Sequence, residues 1–117
     1  MDKIVNESKI DISIEFNEQR LPVDIKWQST DQAEQEQVSC KGMLLSFFER
    51  ETLDTIKIDL WTKDMQVVEM DRFIFQTLRA MADTYQRATQ NTQLANDMQK
   101  FVQYFGQQTQ ILKADES

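Results

Sequence analysis

The sequence predicts an α+β domain: a four-stranded antiparallel sheet made of two hairpins, followed by two antiparallel helices packed on one face. Three observations predict it. Apolar residues alternate with period two from Ile10 to Trp27, and a second pair of apolar runs lies between Val38 and Trp61. From Val67 onward the apolar spacing changes to three and four, the period of a helix.

Ile10, Ile12, Ile14 and Phe16 alternate with Asp11, Ser13 and Glu15, as in a half-buried strand. Asn17 to Arg20 turns the chain, and Leu21, Val23, Ile25 and Trp27 then alternate in the same way. Pro22 has no N–H to give to a ladder, so it must open this strand or lie on its free edge. Ser29 to Gln37 is polar and acidic without period, a solvated loop joining the hairpins. It lacks the glycine and the regular carboxylate spacing of a calcium loop.

The third strand runs from about Val38 to Phe48 and changes parity on the way. Val38 and Cys40 share a face, whereas beyond Gly42 both Leu44/Phe48 and Met43/Leu45/Phe47 are apolar. A bulge at Gly42 accounts for the change. In the fourth strand Ile56, Ile58 and Leu60 face one way, and Lys57, Asp59 and Trp61 the other.

The first helix carries a stripe of Val67, Met70, Ile74, Leu78, Met81, Tyr85 and Ala88, widened by Phe73 and Thr77. Asp64 is the expected N-cap, with Glu69 and Asp71 at the positive end of the helix dipole. A second helix starts near Asn91 or Thr92 with the stripe Leu94, Ala95, Met98, Phe101, Val102 and Phe105, and Gly106 is the expected residue just past its end. Residues 107–117 read either as a ragged extension carrying Ile111 and Leu112 or as a frayed tail. The 117 residues suit a single domain with its core over about 8–105.

A net charge of −7, with the basic residues scattered among acids, argues against nucleic acid, whose phosphates need a basic stripe. Cys40 is the single cysteine, which suits a reducing compartment. The N-terminus has no apolar stretch of signal-peptide length and no segment approaches the roughly 20 apolar residues of a membrane span. The expected location is the cytoplasm, without direct membrane insertion.

The absence of histidine removes the commonest general base, the usual zinc ligand and every Ser-His or Cys-His pair. One cysteine cannot form a CxxC motif or a multi-thiolate site, and two distant glycines cannot cradle a phosphate. Asp59, Asp64, Glu69 and Asp71 could pair as acid and base or hold magnesium, but each has a plainer role on a strand face, at a cap or in a first helical turn. Cys40 reads as a small apolar group, and the glutamines Gln93, Gln99, Gln103, Gln107, Gln108 and Gln110 as a helix facing water. No catalytic residue, cofactor or metal site is assigned.

Leu44, Phe48 and Trp61 do not fit a sheet with one solvated face. If the helices cover Ile56, Ile58 and Leu60, bulky apolar groups remain on the Trp61 side for either parity of the third strand. Such a patch marks a protein interface, with another copy or another partner.

The string Ile58-Asp-Leu-Trp-Thr-Lys-Asp-Met65, followed by Phe75-Gln-Thr-Leu78 and Met81-Ala-Asp-Thr-Tyr-Gln-Arg-Ala-Thr89, resembles the gliding-motility protein GldC family of Bacteroidota. Leu21-Pro-Val-Asp-Ile-Lys-Trp27 and Ser29-Thr-Asp31 are similar as well, so the resemblance spans roughly Ser8 to Phe105. It implies a small accessory protein of the gliding machinery, associated with the lipoprotein GldB, and it carries no residue roles. The acidic loop and the Gln-rich C-terminal part depart from the family pattern. The same order of four strands and two helices is also that of SecB-type export chaperones, so a holdase is the alternative reading, with a carboxylate-dependent hydrolase using Asp59 and Asp64 behind it.

Overall fold

The computed structural model describes residues 1–32 and 36–113. Its elements, in chain order, are β1 (Ile10–Phe16), β2 (Pro22–Ser29), β3 (Val38–Cys40), β4 (Gly42–Phe48), β5 (Thr55–Trp61), α1 (Val67–Thr89) and α2 (Thr92–Gln108). The chain divides into two compact units, Met1–Met65 and Gln66–Ser117.

In the first unit β1, β2 and β3 form one antiparallel sheet in that order, and β4 and β5 form another. A single four-stranded sheet is therefore not what forms. The strand expected from Val38 to Phe48 is broken at Lys41: its first part pairs with β2 and its second with β5. A strand that changes sheets at a bend makes a corner. The break falls one residue before the bulge expected at Gly42, because the Lys41 carbonyl accepts the backbone N–H of Thr62 at 2.8 Å instead of continuing a ladder with β2.

The β1–β2 hairpin follows the alternation from Ile10 to Glu15, after which the register shifts and Phe16 lies opposite Pro22. Ile12 lies opposite Trp27 and Ile14 opposite Ile25, and Cys40 and Val38 of β3 extend the same apolar face. Ile25, at its centre, is 2 % exposed. The other face is polar, with Lys26 paired to Glu15 at 3.1 Å and the Ser39 hydroxyl donating to Asp24. The turn is held by Asn17, whose Oδ1 accepts from the N–H groups of Gln19 and Leu21 while Arg20 takes a left-handed backbone at φ 63°. Pro22 opens β2 as expected. The start of the predicted acidic loop is tied back to the N-terminal segment, Lys9 N–H donating to the Thr30 hydroxyl and the Ser8 hydroxyl to Asp31. Ala33, Glu34 and Gln35 of that loop lie outside the described residues.

In the second unit the helices form an antiparallel hairpin joined through Gln90 and Asn91. The N-cap of α1 is Gln66, not Asp64: its backbone N–H donates to the Glu69 carboxylate at 2.9 Å. Asn91 caps α2 by accepting the Leu94 N–H at 3.1 Å. In α2 the expected stripe holds in the main, with Ala95 and Val102 buried and Met98 and Phe105 half-buried, whereas in α1 the fully buried positions, Phe75 and Ala82, flank the expected stripe. Phe75 and Ala82 of α1 and Ala95, Val102 and Gly106 of α2 are buried, while Val67, Met81, Leu94 and Phe101 are exposed. The small Ala82, Ala95 and Gly106 among them allow close packing of the two helices.

Gly106 lies inside α2 and is not the residue past its end; the helix ends at Gln108 with Thr109 as its cap. The segment that follows turns back, Leu112 N–H donating to the Gly106 carbonyl at 2.9 Å, and Ile111 and Leu112 are half-buried. Neither a continued helix nor a frayed end describes the segment up to Leu112, which folds back on the end of α2. Residues 114–117 lie outside the described residues.

Candidate functional site

The β4–β5 register decides which side chains share a face. Gly42 lies opposite Trp61, Leu44 opposite Asp59, Ser46 opposite Lys57 and Phe48 opposite Thr55. Residues directly paired across an antiparallel ladder point the same way, so Leu44, Phe48 and Trp61 stand on one face, the first of the two parities that the sequence left open. They are 38 %, 69 % and 54 % exposed. Between them lie Ser46 and an ion pair of Lys57 with Asp59 at 3.0 Å.

The opposite face holds Met43/Leu60, Leu45/Ile58 and Phe47/Ile56 and no polar side chain. Phe47, Ile56 and Ile58 are exposed there too. A two-stranded hairpin with apolar groups on both sides lacks the burial that would stabilise it alone in water.

Sequence reasoning missed that Trp61 also lines a shallow cleft with Leu21, Pro22, Asp59, Leu60 and Lys63. The chain brings them together at the corner, where Lys63 N–H donates to the Pro22 carbonyl at 2.9 Å. Leu21 is exposed and extends the apolar surface around Trp61. No periodicity could have signalled this, because it depends on which strand ends meet.

Asp59 is engaged by Lys57, Glu69 caps α1, and Asp64 accepts the Thr62 hydroxyl at 2.6 Å. Among the described residues no group of three or more Cys, Asp or Glu side chains could hold a metal ion. Cys40 is half-buried on the apolar face beside Ile25, as a small apolar group would be.

Thr62 is 2 % exposed and pins the corner, its N–H bound to Lys41 and its hydroxyl to Asp64. That hydroxyl, with help from the Lys41 and Lys63 charges, holds the Asp64 carboxyl below its ordinary range. In Thr62→Val the hydroxyl is lost with little change of shape, and the Asp64 pKa is expected to rise toward the usual carboxylate value of about 3.9. A depressed carboxyl contributes stability above its unfolded pKa and loses it as pH falls through the folded one. The stability gap between wild type and Thr62→Val is therefore constant at neutral pH and narrows below about pH 4. Thermal unfolding across pH, with a carbon-13 titration of Asp64, checks this. A gap independent of pH would show that the hydroxyl and carboxylate are not coupled.

The family model described as "Gliding motility-associated protein GldC-like" matches residues 22–111. No curated protein and no solved structure matches the chain. The matched region contains β2 to α2 and every residue of the Leu44/Phe48/Trp61 face.

Proposed function

The chain belongs to the gliding motility-associated GldC-like family, and from that premise we propose that it is a non-catalytic accessory protein of the gliding machinery that acts by contacting a folded protein partner. The observation that carries the reading is the exposure of Leu44, Phe48 and Trp61 together on one face of the β4–β5 hairpin. A large aromatic set among smaller apolar groups, with a single ion pair between, has the composition of an interface core.

The partner we assign is a protein of the same machinery, the lipoprotein GldB being the first candidate, and the compartment we assign is the cytoplasm. No helix among the described residues is long and apolar enough to cross a membrane. The lack of histidine supports a role without catalysis.

Exposure of apolar groups on both faces of one hairpin also favours a second reading, a holdase of the SecB type. The two readings part in one experiment. An adaptor captures one folded partner from native cells, identified by mass spectrometry, and leaves the aggregation of an unfolded client unchanged. A holdase suppresses that aggregation at stoichiometric amounts and shows no preferred partner, which would overturn the adaptor.

A further inference from the structure

We infer that β4 is the seat of a second copy of this chain, the two β4 strands pairing antiparallel about a two-fold axis at Leu45 to make a continuous sheet in the order β5-β4-β4-β5. The inference rests on the reading of the β4–β5 hairpin as a contact surface and adds the identity of one occupant. Among the described residues β4 pairs with β5 alone, so no strand pairs with its other edge. That edge is Gly42-Met-Leu-Leu-Ser-Phe-Phe48, seven residues without charge or proline. An edge of this kind is a template for another strand unless something blocks it.

The residues at its ends select the occupant. Lys41 precedes β4 and Glu49 follows it. Pairing about Leu45 sets Lys41 of each copy directly opposite Glu49 of the other, at both ends of the shared ladder. Gly42 then faces Phe48, giving the ring room over a position without a side chain. Met43 faces Phe47, and Leu45 faces itself, so the uncharged faces of both hairpins join into one. Opposite charges and aromatic or aliphatic pairs are the cross-strand combinations that stabilise a sheet, and a self-complementary patch is what a two-fold dimer requires.

The β1 edge shows a contrast. β1 closes the three-stranded sheet and has Asp11 and Glu15 on either side of Ser13. The same symmetric pairing about Ser13 would set acid against acid, in a chain whose net charge is already −7. Like charges directly opposite destabilise a pair. The edge of β1 is guarded against a second copy, and the edge of β4 is matched to one.

The test uses the full chain. Sedimentation velocity at micromolar concentration is expected to show a dimer, and Glu49→Lys to weaken it by about tenfold, since both ends of the ladder become like-charged. Lys41→Glu combined with Glu49→Lys restores the dimer, because the pairing is swapped rather than lost. Leu45→Cys in a Cys40→Ser background gives a direct readout: directly opposed strand positions lie within disulfide reach, so mild oxidation yields a covalent dimer. Thr55→Cys, on the far strand, does not cross-link. A monomeric wild type, a dimer indifferent to the charge variants, or a Leu45→Cys protein that stays uncross-linked overturns the inference. A monomer that still captures its partner overturns this dimer and leaves the proposed function standing; a cross-linked dimer that captures nothing does the converse.

Discussion

Gly106→Val is expected to break the packing of the helical hairpin and lower its melting temperature by roughly 10 °C or more, read by circular dichroism at the helix band. A Cβ placed on Gly106 would lie 2.6 Å from Phe75 Cε1 and 2.7 Å and 2.9 Å from Leu112 Cδ1 and Cγ. These separations are shorter than real Cβ contacts allow. Leu112 is half-buried at the end of a short return and can swing away. Phe75 is 4 % exposed and its ring has nowhere to go. Alanine at the same position gains about 1 kcal/mol of helix propensity against glycine, which offsets part of the clash. Valine adds two methyl groups and a β-branch, and the overpacking cost rises to about 3 kcal/mol, a large share of a small domain's 5–15 kcal/mol. The expected order of stability is therefore wild type, alanine, valine. A valine variant that melts with wild type would mean that α2 does not approach Phe75 in solution.

Ile25→Ala is expected to destabilise the sheet unit by about 3 kcal/mol, with Ile25→Val costing about 1 kcal/mol. Ile25 is the one apolar side chain among the described residues of Met1–Met65 that is fully buried. It sits between Ile14 on β1 and Cys40 on β3, so its loss opens the centre of all three strands at once. Half-exposed neighbours such as Ile14 and Trp27 can settle into part of the void, which keeps the cost below the upper end for such truncations. Urea unfolding followed by tryptophan fluorescence measures it. A cost for alanine no larger than for valine would remove Ile25 from the core.

The contrast between these two sites explains how much of the fold was legible beforehand. β1 could be read as far as Glu15, where strict alternation admits one register, and Asn17 supplies its own turn chemistry, but the register shift before Phe16 leaves no mark in the apolar pattern. Ile25 emerged as an inward position from the same alternation. The corner could not be read. Val38–Phe48 is a plausible continuous strand locally, and only the capture of the Lys41 carbonyl by Thr62 decides that it changes partner. The helix seam was legible in α2, where Ala95 and Val102 of the expected stripe are buried, and shifted in α1, where Phe75 and Ala82 flank it. Apolar residues occupy most of one side of α1, and the buried positions of the two helices include the small Ala82, Ala95 and Gly106, which allow close packing.

The candidate surface was more legible than the sheet that bears it. Parity within β5 fixes Trp61 opposite to Ile56, Ile58 and Leu60 whatever the strand pairs with, and the Gly42–Trp61 register then carries Leu44 and Phe48 to its side. Leu21 and Pro22 join Trp61 only because strand ends meet at the corner. Asp64 was expected to cap a helix and instead serves the same corner through Thr62.

The most direct test of the central claim, that the Trp61 face of the β4–β5 hairpin is the partner contact, is the affinity of the captured partner for wild type, Trp61→Ala and Val67→Ala measured side by side. Trp61 and Val67 are both exposed, in different elements, so truncating either leaves the buried positions untouched. Loss of a central tryptophan anchor is expected to weaken binding by at least about tenfold while Val67→Ala binds as wild type does. Equal affinities for Trp61→Ala and wild type would contradict the account.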